Sequence, residues 1–512
     1  MDKQFRRKAI IMNSLSGLIV VLVNTIMQFL NRTAFIHYLG KTYLGYNGLF
    51  SNVLGVLSLT ELGIGSAIIF SLYKPLKENN QDLIIKLMHL FKRIYELIGI
   101  VVFFFGIGAY FLIRNQLAGT TGKVAELTIT YFLFLLGSVS AYYLTYKRSM
   151  FDADQKVYKN QLNYLIFNTL SSIFQMLMLV CFQDFLLYAG TTTVFNVIGN
   201  IVISKQVDKE YPFLSRKLTS YRLTTDLKEQ IKKLTIGNFS NKVGTVVVYG
   251  TDNIFISIFS GITTVGIYSN YALIVNTLIS LVSRVFSGLT STIGIMKLTN
   301  PEKNFQNYRH MHMMNLFITV ICVGCLAALG NVFIKLWIGH SYLLPDIVTI
   351  IIIINFAIEI YRRTSLTYID AYGLAWIQRW KSIVEVVINI TLSIMLAGFF
   401  KLGLLGVLSG TTISIMIFPL WFEPYVVFKY GLNVNFAKYC KIALISFVSI
   451  TLEFIFVIIG TKISAELVSN ILLQFVINAV IAILSSFCII GCLLMLTNDG
   501  REIWIKYVKK EV

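Results

Sequence analysis

The sequence predicts an all-α polytopic membrane protein of about fourteen transmembrane helices, in two pseudo-symmetric six-helix lobes followed by two C-terminal helices. Three observations carry this. Only 13% of the 512 residues are charged while 56% are hydrophobic, roughly half the charge of an ordinary soluble domain. Lys and Arg crowd alternate connections between the apolar runs. One Gly-bounded turn, with the span that follows it, returns 221 residues later.

A crossing needs about 20 mostly apolar residues. In order, the runs that meet this are 10–31, 46–72, 93–113, 125–146, 162–181, 185–203, 234–258, 266–296, 312–336, 346–370, 381–400, 402–428, 440–460 and 468–496. The start, MDKQFRRKAII, is basic. A run of spanning length follows it without a small-residue cleavage site, so 10–31 reads as a retained first helix. The second span is expected to stop at Lys74-Pro75. Residues 204–233 form the longest polar connection, basic with spaced Tyr, Phe and Leu, and read as a cytoplasmic segment lying on anionic lipid. The expected division is an N-lobe at 1–203, this linker at 204–233, a C-lobe at 234–428, and spans 13 and 14 with a cytoplasmic tail at 429–512.

Charge assigns the sides. Thirty-five Lys and Arg fall in the ends and loops on the N-terminal side of the membrane, against seven on the other (Arg32, Lys41, Arg114, Lys123, Lys335, Lys401 and Lys462). By the positive-inside rule both termini face the cytoplasm. The net charge of +19 is therefore a topology signal and does not point to nucleic acid. The six cysteines lie in or beside apolar runs, and Cys322-Val-Gly-Cys325 sits inside one, so neither a disulfide framework nor a redox pair is expected. Short external loops argue against a receptor and against a glycan polymerase with a large outer domain.

The repeated turn reads Tyr38-Leu-Gly40-Lys-Thr-Tyr-Leu44-Gly45 after span 1 and Phe259-Ser-Gly261-Ile-Thr-Thr-Val265-Gly266 after span 7. A second echo pairs Phe151-Asp152-Ala153 with Ile369-Asp370-Ala371, at an offset of 218. Each half holds an even number of spans, so the duplication is a parallel repeat. Transporters with this construction bind substrate at the interface of their halves.

Ionisable side chains inside spans cost a few kcal/mol, on insertion scales, and usually face a cavity. Five stand out: Arg32, Glu61, Lys242, Asp252 and Arg284, all on the first two helices of a half. With the offset applied, Arg284 corresponds to Gly63, near Glu61, and Asp252 to Asn31, beside Arg32. The expected central cavity has a small cationic excess suited to a phosphate or diphosphate, with Arg32, Lys242 and Arg284 as binding residues. Glu61 and Asp252 are the candidates for ion coupling; the alternative is that these groups are ion pairs joining helices. Glycines cluster in the same helices, which suits both bending and static packing. Glu359, Arg362 and Arg363 at the end of span 10 either extend the cavity or pair with one another. Gly40-Lys41-Thr42 lacks the first glycine of a phosphate-binding loop, and His310-Met-His312 reads as a helix entrance and not a metal site.

The run YLGKTYLGYNGLFSNVLGVLSLTELGIGSAIIFSLYKPL, and LSLTELGIG…FSLYKPL in particular, resembles the N-terminal region of bacterial polysaccharide flippases of the Wzx type. These belong to the multidrug/oligosaccharidyl-lipid/polysaccharide exporter superfamily. The resemblance implies a MATE-like fold in the bacterial cell membrane and a non-enzymatic role without cofactor. The implied substrate is an undecaprenyl-diphosphate-linked oligosaccharide repeat unit, moved outward by alternating access for capsule, O-antigen or exopolysaccharide assembly. A polysaccharide polymerase and glycosyltransferases are implied as partners beside membrane lipids, and nucleic acid is not. It also implies a lipid-tail groove at spans 13 and 14, where Glu453 is an odd feature. Protons, Na+ and the membrane potential all stay open as energy sources. The rival readings are a cation-coupled multidrug antiporter and, from another class, a membrane glycosyltransferase or polymerase.

Overall fold

A computed structural model describes the backbone of residues 3–57, 64–117, 124–299 apart from 219 and 222, and 303–507; within its helices some side chains are not described, chiefly those of 3–11 and 236–249. The described residues are helical nearly throughout. They form two compact units, Met1–Gly266 and Ile267–Val512.

The first unit contains α1 (Lys3–Leu57), α2 (Ile64–Lys77), α3 (Gln81–Leu117), α4 (Val124–Thr145), α5 (Arg148–Ala153), α6 (Val157–Phe182), α7 (Phe185–Glu210) and α8 (Thr225–Ser260). The helix α9 (Ile262–Thr299) begins in it and continues into the second unit. There follow α10 (Asn304–Ile338), α11 (Asp346–Tyr361), α12 (Arg363–Tyr372), α13 (Lys381–Ser393), α14 (Gly403–Ile417), α15 (Pro419–Val426), α16 (Ala437–Leu467), α17 (Ile471–Leu496) and α18 (Asn498–Tyr507). Single π-helical turns extend α13 over Ile394–Phe399 and α15 over Val427–Leu432.

Among the described residues eleven helices are long and apolar enough to cross a membrane: α1, α3, α4, α6, α7, α9, α10, α13 with its π turn, α14 with α15, α16 and α17. Three expected crossings have a different form. The span 46–72 is the second arm of α1 followed by α2, with 58–63 outside the described residues. The span 234–258 lies in α8, largely where side chains are not described. The span 346–370 is divided at Arg362 into the 16-residue α11 and the 10-residue α12. Lys74-Pro75 does not end α2, which runs on to Lys77. Proline removes one bond, from its own position to the Ser71 carbonyl, and the helix continues for two residues beyond it.

Lipid as solvent inverts the usual pattern. Phe104, Leu112, Phe399, Phe447, Phe487 and Leu496 present their side chains outward, whereas Asn270, Thr319, Asn389, Ser393 and Glu453 are buried. Helix association then rests on packing and interhelical hydrogen bonds, each worth about 0.6–2 kcal/mol. Between α1 and α6 these bonds form a ladder: Ser16 to Gln161, Asn168 Nδ2 to Asn24 Oδ1 at 2.9 Å, and Asn31 Nδ2 to Gln175 Oε1 at 2.5 Å. The rungs fall seven or eight residues apart on both helices, the spacing of two parallel helices in register.

The duplicated turn is duplicated in its backbone. Gly40, which kinks α1, has φ 76° and ψ −175°; Gly261, between α8 and α9, has φ 84° and ψ 162°. Only glycine occupies this region without strain. Five residues on, each repeat closes on the other. A Cβ on Gly45 would stand 2.9 Å from the carbonyl carbon of Ile262 and closer still to its oxygen. A Cβ on Gly266 would stand 3.1 Å from the carbonyl carbon of Lys41, again closer to the oxygen. Lys41 and Ile262 are 221 apart, as are Gly45 and Gly266, so the two contacts are exchanged by the repeat, as in a two-fold interface. The second echo also has a structural counterpart: Phe151 near the end of α5 and Ile369 near the end of α12 are both wholly buried.

Outside the spans, α5 is pinned to the end of α7. Lys147 meets Asp208 at 2.6 Å, Lys156 bridges Asp154 and Glu210, and the Tyr211 hydroxyl donates to Asp154 at 2.6 Å. Burial pushes the Asp152 carboxyl above its ordinary range, against the bond from Asn160 and the charge of Arg148. At the other end of the chain α18 docks on the start of α10 through Arg309–Asp499 at 3.0 Å and His310–Glu502 at 2.8 Å. His312 turns elsewhere, to Ser446 Oγ at 3.1 Å.

Candidate functional site

In the first unit the top rung of the α1–α6 ladder continues into α7. Gln175 Nε2 donates to Thr192, and Asn31 also hydrogen-bonds the Tyr188 hydroxyl. Arg32 follows Asn31 on α1, half-buried, within electrostatic reach of Tyr188. The Tyr188 ring packs edge-on to Phe35 at 4.8 Å, and Phe35 packs edge-on to Phe185 at 5.8 Å. An aromatic wall thus fixes the α1–α7 seam, and the guanidinium sits beside it near the end of the helical arm.

Asp252 lies on α8 and is buried, as is its neighbour Asn253. Asn253 Nδ2 is 3.8 Å from where a Gly48 side chain would begin, so this part of α8 packs against the second arm of α1. Asn31 and Asp252 both stand nine residues before the positive-φ glycine of their repeat, about 13 Å along a helix. The two repeats therefore bury a polar side chain at matching depth. Lys242 belongs to α8, but its side chain is among those not described, and Glu61 lies outside the described residues.

Arg284 is on α9 in the second unit. Val282 and Phe286 of that helix are buried with Val323 of α10 and Phe356 of α11. Arg284 is two positions from either, about 200° around the helix, and is exposed beside Val285 and Leu289. It projects from the face of α9 that is not packed on α10 and α11.

The second unit also holds a buried network that the in-span charges chosen from the sequence omit. Glu423 of α15 is fully buried. It accepts from Arg362 Nε at 2.9 Å on one oxygen, and from Arg362 Nη2 and Lys381 Nζ, each at 2.5 Å, on the other. Arg362 also meets Glu359 at 3.4 Å, and Arg363 pairs with Glu359 as well. Glu385 on α13 is buried within electrostatic reach of Arg362 and Lys381. Three cations face three carboxylates, and the donors of Arg362 are directed at carboxylates. This network ties α11, α12, α13 and α15 together. The sequence signal for it was present: Glu359, Arg362 and Arg363 have i, i+3 and i, i+4 spacing, and Glu423 interrupts an apolar run. Lys381 and Glu385 were hidden by standing at a span's polar end.

No protein-family model matches the chain, and no curated protein matches it in sequence. Solved structures do match in fold. An inward-facing multidrug resistance MATE family transporter of the MOP superfamily aligns with TM-score 0.63 and 13% identity, over 81% of this chain and 98% of its own. The lipid II flippase MurJ, in an inward closed conformation, aligns with TM-score 0.61 and 16% identity, over 94% of this chain and 100% of its own. An outward-facing MATE transporter of the same superfamily gives 0.56 and 14%, over 82% and 95%. The fold is the one shared by these proteins: all-helical, polytopic and MATE-like.

Proposed function

We propose that the chain is a flippase of the bacterial cell membrane that carries an undecaprenyl-diphosphate-linked oligosaccharide from the inner to the outer leaflet by alternating access. The supporting observation is the reach of the fold. The MATE transporters use nearly all of their own length on 81–82% of this chain, whereas the lipid II flippase covers 94%. What remains outside that 94% is too short to hold both α16 and α17, so the flippase likeness extends past the twelve-helix core. A drug antiporter has less use for the additional helices.

The cations supply the chemistry. Arg284 leaves the packed face of its unit, and Arg32 stands half-buried beside Tyr188. A guanidinium turned to lipid would cost a few kcal/mol or more, so both are read as facing the substrate path, with Lys242 as the third group on the diphosphate. Glu61 and Asp252 remain the candidates for ion coupling. Moving about two negative charges outward across an inside-negative membrane yields about 2.3 kcal/mol per charge per 100 mV. That gradient is enough to bias flipping without ATP.

In reconstituted vesicles, Arg284→Ala and Lys242→Ala are each expected to lower translocation of a prenyl-diphosphate oligosaccharide about ten- to a hundredfold, the worth of one lost charge-assisted contact. Arg284→Lys should keep much of the activity, since the charge remains. If both alanine variants flip normally, the cationic site is wrong; if the protein instead exports organic cations, the antiporter reading replaces it. Orientation is checked separately. Cysteine at position 41 should react with an impermeant reagent from outside the cell and cysteine at 217 only after permeabilisation; the reverse result would overturn the topology.

A further inference from the structure

Glu453 lies midway along α16, about 24 Å from its start and about 21 Å from its end, with no solvent exposure. Both neighbouring helices close on it. Ser485 and Ser486 of α17 stand 2.8 Å from the same oxygen, Oε1. On α10 a Cβ at Gly324 would come within 3.1 Å of the carboxyl carbon and of Ser486 Oγ. The second oxygen, Oε2, is buried without a hydrogen-bond partner. Cys325 of α10 is the titratable group that senses this carboxyl, and among the described residues no Lys, Arg, His, Asp or other Glu is paired with it. From α17 the facing groups are the two serines, with Asn478 bonded instead to the Ala328 carbonyl.

This geometry does not suit an anion. A bare carboxylate in hydrocarbon carries a desolvation cost that burial repays only through a partner charge or several donors. Here one oxygen has no donor. The neutral acid fits better. Ser485 Oγ also lies 3.1 Å from the Ala482 carbonyl, so it donates there and accepts the acid proton from Oε1, while Ser486 donates to Oε1.

We infer that Glu453 is a proton-binding site: it holds a proton while α10, α16 and α17 are closed around it, and releases that proton to water when their packing opens. The closed arrangement then binds one proton more than the open one. Linkage fixes the sign. Closure is favoured fully at pH values below the ordinary carboxylic-acid range, and weakens about tenfold for each pH unit above it, until the closed site itself ionises. This inference does not rest on the substrate, because opening is read without transport.

The test uses the full chain in lipid nanodiscs. Infrared spectra of wild type minus Glu453→Gln should show a protonated carboxyl band at neutral pH. Hydrogen exchange in α16 and α17, with labelling times scaled to intrinsic rates, should rise about tenfold per pH unit in the wild type relative to Glu453→Gln from about pH 6 to about pH 8. An ionised carboxylate at neutral pH overturns the proposal, and so does an identical pH response in the two proteins, which would make the proton a fixed structural one. A response that follows Na+ instead of pH overturns it in favour of a cation site. Should Glu453→Gln fail to fold, Ser485→Ala with Ser486→Ala serves instead. The neutral acid, losing one acceptor at Ser485 and one donor at Ser486, keeps its pH response; a carboxylate, left without any donor, does not.

Discussion

Replacing Glu423 by Ala is expected to destabilise the second unit by about 3–5 kcal/mol, the usual cost of leaving buried charges uncompensated. The removed side chain accepts from both Arg362 and Lys381, and neither cation has water to retreat to, with side chains 7% and 9% exposed. Arg362→Ala should cost a similar amount. Lys381→Ala should cost less, because Glu423 keeps the two-pronged contact with Arg362. Neutralising the cluster as a whole, Arg362→Met with Lys381→Met, Glu423→Leu and Glu385→Gln, which leaves Arg363 paired with Glu359, should be close to neutral, since an ion network is weak evidence of net stabilisation even when it is costly to break. Unfolding midpoints of the purified full chain in detergent give the comparison. A quadruple variant less stable than Glu423→Ala would show that the network contributes net stability, and would overturn this expectation.

That network also marks where sequence reading stops. Crossing segments are legible because a lipid-length apolar run is a local property, and α3, α6, α10, α16 and α17 stand close to where composition puts them. The duplicated turn is legible for the same reason: it needs glycine at fixed places, and Gly40 and Gly261 share one backbone conformation. Partners are a different matter. Arg362 and Glu423 are 61 residues apart, and Ser16 and Gln161 are 145 apart. Nothing local says which polar residue will meet which. Hydropathy also hides charges at span ends, where polarity is ordinary, so Lys381 counts as a loop cation and Glu385 passes unnoticed at the start of the run 381–400. Breaks within helices, such as Arg362 between α11 and α12 or the π turn at Ile394–Phe399, follow from tertiary packing. Of the five in-span candidates, Arg32, Asp252 and Arg284 can be placed. Asp252 is buried at a depth matched by Asn31 in the other repeat, and Arg284 is exposed on the side of its helix turned away from Val282 and Phe286.

Gly45→Ala and Gly266→Ala should each be as disruptive as a core defect, although each adds only a methyl group. The obstacle in both cases is backbone, which cannot rotate aside. A Cβ on Gly266 would also stand 3.0 Å from the Gly45 nitrogen, so the two sites share one contact. Small residues let membrane helices approach until Cα–H groups touch carbonyl oxygens, and here each repeat contributes one glycine and one carbonyl to the other. Overpacking costs about 1–3 kcal/mol where side chains can yield, so about 3 kcal/mol or more is expected against rigid backbone. Because the two contacts form one crossing, the double variant should be little worse than the worse single one. Gly108→Ala and Gly190→Ala are the controls: nothing stands within 4 Å of either new methyl group, and alanine gains up to about 1 kcal/mol over glycine within a helix. Both controls should fold at least as well as the wild type, while the Gly45 and Gly266 variants should lose the monodisperse peak in size-exclusion chromatography and melt earlier. Additive losses at positions 45 and 266 would mean that the two contacts are independent, and that the repeat-related crossing is not a single interface.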